Sequence, residues 1–365
     1  MQLAYGITVS AQPEERVLSD FSGIEGGYLR DILDQPRAIE ATLAELDAPA
    51  DLRNFASRLR SPRIETVVLT GMGSSFHALH PLNLQLIEHG FRSMMIETSE
   101  LVHYYGRLLE GKCLVVAVSQ SGQSGEIIRL LEVNRRRCPI IAVTITVGSP
   151  LADQSDATIL THAGKEFSVS CKTYLTALMA LQWLGAVFCD ANPSRLREEL
   201  ALCALAVQQY LERWKDHTSD FAGELAGIHH LFLVGRGSSL AAVGTGALII
   251  KESDHLPAEG LSGAAFRHGL FEMVGEKSFI LVFGGDQRTR DLNLHLFHDI
   301  RQHRGRAEFV GEASEFEPGR LPDVPSTIQP MFEILPVQMM TLALAALASR
   351  EPGRFRFVSK ITSVE

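Results

Sequence analysis

The chain has 365 residues, 45% of them hydrophobic and 21% charged, the make-up of a globular protein long enough for two domains. A formal net charge of -9 and the lack of a basic stripe interleaved with aromatics exclude a nucleic-acid surface. Its cysteines, Cys113, Cys138, Cys171, Cys189 and Cys203, are odd in number and form no C-x-x-C pair, which argues against a disulfide framework and for a reducing compartment.

In chain order, Met1-Gln2-Leu3-Ala4-Tyr5-Gly6 lacks the charged and apolar regions of a signal peptide, so a cytoplasmic protein is expected. The residues that precede the first strand are mostly helical in pattern and are expected to pack across the rest of the molecule. An apolar run, Val67-Val68-Leu69, then leads into Gly71-Met72-Gly73-Ser74-Ser75-Phe76-His77-Ala78. Such a run is typical of a buried parallel strand, and the Gly-Ser turn after it opens a helix. A second run, Lys112-Cys113-Leu114-Val115-Val116-Ala117-Val118, ends in Ser119-Gln120-Ser121-Gly122-Gln123-Ser124-Gly125-Glu126. Arg135-Arg136-Arg137 closes the next helical stretch, where cations suit a helix C-terminus. Residues 140–147 read as a further strand, and residues 174–215 as helical with a break at Asn192-Pro193.

The pattern then recurs. Gly235-Arg236-Gly237-Ser238-Ser239-Leu240-Ala241-Ala242 lies over the first Gly-Ser turn at an offset of 164, with five of eight positions identical. Leu231-Phe232-Leu233-Val234 precedes it, and at an offset of 165 Lys277-Ser278-Phe279-Ile280-Leu281-Val282-Phe283 matches the second strand. After that strand the copies differ, because Gly284-Gly285-Asp286-Gln287 replaces the serine-rich turn. Residues 307–310 read as a later strand. Residues 335–348, interrupted by Pro336 and Gln338, read as a buried helix too short to span a bilayer. The fold class expected is α/β: two units related by internal duplication, each a flavodoxin-like, doubly wound parallel sheet flanked by helices. The expected layout is a helical segment over 1–45, a first unit over 46–190, connecting helices over 191–220, a second unit over 221–350 and a tail over 351–365.

In parallel α/β sheets ligands collect beyond the carboxyl ends of the strands. Ser74 and Ser75 occupy that place after one strand, and Ser119, Gln120, Ser121 and Ser124 after another. Ser74 or Ser75 alone reads equally well as a helix N-cap. In the second turn capping accounts for one or two residues and leaves the rest for a phosphate dianion, with Gly73 and Gly122 letting the backbone approach. No P-loop or dinucleotide fingerprint is present, the thirteen histidines show no metal-binding spacing, and neither metal nor cofactor is expected.

These motifs resemble the double-SIS (sugar isomerase) family, in particular the isomerase half of glutamine:fructose-6-phosphate amidotransferase and its short relatives. The resemblance runs in order through Tyr28-Leu29-Arg30-Asp31-Ile32-Leu33-Asp34-Gln35-Pro36, both turns and Ala163-Gly164-Lys165-Glu166 with Val169. It continues through Lys251-Glu252, Arg267-His268-Gly269 and Ser359-Lys360-Ile361-Thr362-Ser363-Val364-Glu365. It implies phosphate binding by Ser75, Ser119, Gln120, Ser121 and Ser124, with Ser74, Val169 and Cys171 near the sugar. It implies Glu252 for proton transfer between C1 and C2, and His268, 16 positions on, for ring opening. Lys360 would meet the open-chain carbonyl. Because the family's histidine commonly enters from the neighbouring subunit, a homodimer with shared sites is implied, with a phosphosugar as the small-molecule partner and no nucleic-acid or membrane partner.

Two departures bear on activity. The first cysteine is Cys113, so glutamine hydrolysis by an N-terminal cysteine is not expected. Thr245 and Ile249 stand where the amidotransferase carries a glutamate and a lysine near the sugar, so a different substrate is expected. Isomerisation, deamination or deglycation of an amino-sugar or fructosamine phosphate all pass through an enolised open-chain sugar, and the choice among them stays open. So does the alternative of a non-catalytic phosphosugar sensor.

Overall fold

The computed structural model describes residues 20–47, 50–61 and 63–357. Among the described residues nine strands form two sheets. In the first, β1 (Thr66–Gly71), β2 (Ser93–Glu97), β3 (Cys113–Val118), β4 (Ile140–Thr144) and β5 (Ala157–Leu160) lie in the order β2-β1-β3-β4-β5. In the second, β6 (His230–Gly235), β7 (Ala258–Ser262), β8 (Ser278–Phe283) and β9 (Arg306–Val310) lie in the order β7-β6-β8-β9. Every pairing is parallel. The second sheet therefore repeats the first without its fifth strand. In both sheets the chain reverses direction of winding between the first strand and its successor two along, which opens a crevice at their carboxyl ends.

The central strands β3 and β8 are buried along their whole length, which is why their sequences read as unbroken apolar runs. Each sheet turns one face into a common core that includes Leu69, Val116, Leu233 and Leu281. The opposite faces have separate cores, around Val68, Val115 and Ile140 in the first and Phe232, Ile280 and Ala307 in the second.

Among the described residues one helix, Gln329–Leu347, is long and apolar enough to cross a membrane. The expected stretch over 335–348 thus starts earlier than its sequence suggests, since Pro330 sits in the first turn, where a missing N–H costs nothing. The helix lies inside the common core with Ile334, Leu335 and Met339 fully buried. The N-terminal helices close over both units: Gln35 and Gln338 exchange two side-chain hydrogen bonds of 2.9 Å, and the Thr341 hydroxyl reaches the Tyr28 hydroxyl at 3.3 Å.

Candidate functional site

At the crevice of the first sheet lies a cavity of about 270 Å³, lined by both serine-rich turns and by Glu252. The turn after β3 is held by its own polar groups. The Ser119 Oγ accepts the Gly122 N–H (3.2 Å) and the Ser121 Oγ accepts the Gln123 N–H (3.3 Å). The Gln120 carbonyl accepts the Thr144 and Thr146 hydroxyls at 3.1 and 3.2 Å. A serine that accepts a backbone N–H still has its own O–H to donate, so this local bonding orients hydroxyl donors without using them up. Ser124 takes the N-cap position of the Gly125–Asn134 helix, yet its side chain makes no capping bond. Ser74 and Ser75 belong to the Gly73–His77 helix, where again no side-chain cap forms. No Lys or Arg lines this cavity among the described residues. An anion here would be held by hydroxyls, backbone N–H groups and the helix dipole.

Part of the lining comes from the second unit. The Leu240–Asp254 helix follows β6 and carries Leu248 and Glu252, one turn apart, into the cavity. It meets the first unit closely: a Cβ at Gly244 would lie 2.7 Å from His77 Cγ. Burial, together with His80 and Lys251, lowers the His77 pKa to about 4, so the imidazole at this junction is neutral.

The third wall is the loop 161–171. Glu166, 4% exposed, accepts the Cys171 and Thr173 N–H groups at 3.0 and 3.1 Å and the Thr173 hydroxyl at 2.7 Å. A carboxylate in that place caps the Lys172–Phe188 helix and fixes the loop. Lys172, 3% exposed, ties the same helix to the N-terminal segment through Asp31 (3.1 Å) and Asp34 (2.9 Å).

The structure thus brings Ser74, Ser75, Ser119, Gln120, Ser121, Ser124 and Glu252 to one cavity. Val169 and Cys171, expected near the sugar, are 1% and 0% exposed and do not line it; their neighbours Ser168, Ser170 and Thr173 do. Burial raises the Cys171 thiol well above its ordinary pKa, in keeping with a packing role. Thr245 and Ile249 are both fully buried, and Leu248 lines the cavity between them. His268 is exposed at the end of the Gly263–Arg267 helix and does not line the cavity of its own chain. Lys360 lies outside the described residues. Thr98, Thr161, Tyr174 and Phe355 also line the cavity, and none of them belongs to a motif visible in the sequence.

In the second sheet the equivalent crevice holds an internal carboxylate. Ser239, the counterpart of Ser75, donates to the Glu333 Oε1 at 2.8 Å, and the Gln329 Nε2 donates to the same oxygen at 3.0 Å. Gln329 also donates to the Gly285 carbonyl at 3.1 Å.

The model of the SIS domain matches residues 62–186, the span that contains both serine turns and the whole first sheet. This span is a SIS domain. The second unit has the same α/β fold, and the chain as a whole resembles the double-SIS proteins. It is 26% identical over 375 residues to a glutamine–fructose-6-phosphate aminotransferase (isomerizing) of Pyrococcus horikoshii, covering 95% of this chain and 59% of that one. A Pyrobaculum aerophilum aminotransferase of the same name is 27% identical, with 98% and 61% covered. The chain therefore spans about three fifths of the length of these relatives. Among solved structures, the C-terminal domain of the Francisella tularensis glucosamine-fructose-6-phosphate aminotransferase superposes with a TM-score of 0.79 at 19% identity, covering 92% of this chain and all of that one. A glucosamine-6-phosphate deaminase of Thermotoga maritima gives 0.72 at 16% identity, with 93% and 100% covered. At these identities the superpositions establish the SIS fold.

Proposed function

We propose that the protein is an enzyme that binds an amino-sugar or fructosamine phosphate and isomerises, deaminates or deglycates it through an enolised open-chain intermediate. One observation carries this reading: one cavity gathers a cluster of hydroxyl donors and a carboxylate, Glu252, carried in by a helix of the other unit. Ser75, Ser119, Gln120, Ser121 and Ser124 hold the phosphate. Glu252 removes a proton from the carbon next to the carbonyl of the opened sugar, leaving an enediol or enolamine, and returns it to the neighbouring carbon. His268, supplied by the partner chain of a homodimer, assists ring opening, and Lys360 meets the open-chain carbonyl. The names of the related aminotransferases and of the deaminase agree with this class of substrate.

Glu252→Gln keeps the shape of the side chain and loses the base. It is expected to bind glucosamine 6-phosphate like the wild type and to abolish both product release and exchange of the C1 or C2 proton with solvent. Undiminished turnover would end the assignment. Ser119→Ala with Ser121→Ala is expected to weaken binding instead, since hydrogen bonds to a charged group contribute about 1.5–3 kcal/mol each. Saturable binding in the wild type with no proton exchange for any amino-sugar or fructosamine phosphate would favour a sensor, the reading to which Thr245 and Ile249 lend support.

A further inference from the structure

The hydroxyls of the cavity wall differ in polarity, because the hydrogen bonds behind them fix which can give a hydrogen and which can only take one. The chain of bonds starts at Glu166, whose Oε1 accepts the Cys171 and Thr173 N–H groups at 3.0 and 3.1 Å and whose Oε2 accepts the Thr173 hydroxyl at 2.7 Å. A carboxylate oxygen only accepts, so the single hydrogen of the Thr173 hydroxyl is spent on it. Thr173 Oγ1 also lies 3.0 Å from Ser170 Oγ, a contact in which either oxygen could donate by geometry alone. With the threonine hydrogen committed, Ser170 is the donor. Its hydrogen turns toward Thr173, and its oxygen keeps lone pairs to offer.

Ser170 and Thr173 both line the cavity, and Ser170 is partly exposed where its neighbours Val169 and Cys171 are buried. The serines of the β3 turn have the opposite polarity. Ser119 and Ser121 accept backbone N–H groups and retain an O–H to donate, which suits an anion. An oxygen that only accepts is unfavourable to a phosphate dianion and pairs with an O–H or N–H instead. We infer that Ser170, held by Thr173 and Glu166 with its hydrogen turned away, accepts a hydrogen bond from a hydroxyl or amino group on the carbon chain of the substrate. The cavity then has two subsites of opposite polarity, one for the anion and one for the donors of the sugar. This assignment rests on the phosphosugar reading of the same cavity and adds a residue that reads the sugar.

Calorimetric titration with three probes tests it: inorganic phosphate, which needs only the serine turns, sorbitol 6-phosphate, and the 2-amino-2-deoxy analogue of sorbitol 6-phosphate. The last two are open-chain and lack the carbonyl needed to react. Wild-type protein is expected to bind all three, the hexitol phosphates more tightly. Ser170→Ala should weaken both hexitol phosphates about five- to tenfold and leave inorganic phosphate within about twofold, as loss of one hydrogen bond to the ligand requires. A larger loss for the amino analogue assigns the donor to the amine, and equal losses assign it to a hydroxyl that both share. Thr173 is a positioning residue, so Thr173→Ser, which keeps the hydroxyl, should bind the hexitol phosphates like the wild type, and Thr173→Val, which keeps the shape, should weaken them. The reverse order, with valine neutral and serine damaging, overturns the relay. Ser170→Ala binding the hexitol phosphates like the wild type, or losing all three probes equally, overturns the inference while the phosphosugar reading stands. Wild-type protein that binds none of the probes overturns both.

Discussion

Gly122 stands between the serines of the β3 turn with φ of +64°, and a Cβ there would lie 2.7 Å from Ser149 Cβ. Its N–H is the donor that fixes Ser119 Oγ, and its carbonyl accepts the Leu151 N–H at 3.0 Å. A side chain at this position meets two penalties at once: the left-handed conformation, about 1–2 kcal/mol, and the clash with the cap of the next helix. Gly122→Ala is therefore expected to lower stability by more than the conformational penalty alone, and to weaken phosphate binding at least as much as losing one serine does. Denaturant unfolding and phosphate titration measure the two effects separately. The Ser-Gln-Ser-Gly run was legible because polar residues in series directly after a buried strand have few other uses. The parity of the loop at Val169 was not, for the loop is irregular. The carboxylate of Glu166, bonded to Cys171 and Thr173, sets which side chains face the cavity.

At the scale of elements, strands buried along most of their length announce themselves, the edge strand β9 included, and half-exposed strands do not. Sequence patterning located β1, β3, β4, β6, β8 and β9 and passed over β2, β5 and β7, each of which lies at an edge of its sheet. In β7 only Ala258 is buried, so Glu259 and Gly260 gave no apolar period to read. Thr98 and Thr161 follow two of those edge strands, which is why these cavity residues were missed as well.

The last core helix is legible as apolar and hides a charge problem. Glu333 is fully buried, its Oε2 has no partner, and burial pushes its carboxyl up to about 7 against the bonds from Ser239 and Gln329. A carboxyl whose folded pKa is raised contributes stability that is complete below the unfolded pKa of 4.5 and is lost as pH rises through 7. With about 1.4 kcal/mol per pKa unit, the loss across that window is roughly 3 kcal/mol. Asp254 and Glu308 are raised by burial too, so the wild-type slope has several sources. The difference between wild type and Glu333→Gln isolates one of them. The variant is expected to lose less stability between pH 5 and pH 8 than the wild type in denaturant unfolding, and equal losses would show that Glu333 stays ionised throughout.

For the whole molecule, duplication has produced two crevices with opposite fates. The first keeps hydroxyl donors and stays open, while the second has turned its Ser239 toward an internal carboxylate and lends its first helix, with Glu252, to the neighbour. That division makes the hydroxyl cluster and the carboxylate legible within one chain. It leaves His268 without a place, since the residue is exposed and away from the cavity that its own chain supplies. In the homodimer proposed above, a second copy related by a two-fold axis would provide one, because such an axis gives each cavity the same residue from the other chain. Mixing tests this directly. Glu252→Gln and His268→Asn chains, each inactive alone, are combined in equal amounts after dissociation and allowed to reassociate. If sites are shared, half the dimers are mixed, and each mixed dimer has one cavity with both groups intact, so about a quarter of the wild-type turnover returns. If Glu252 and His268 of one chain serve the same cavity, every cavity in every dimer lacks one group, and turnover stays at the level of the separate variants.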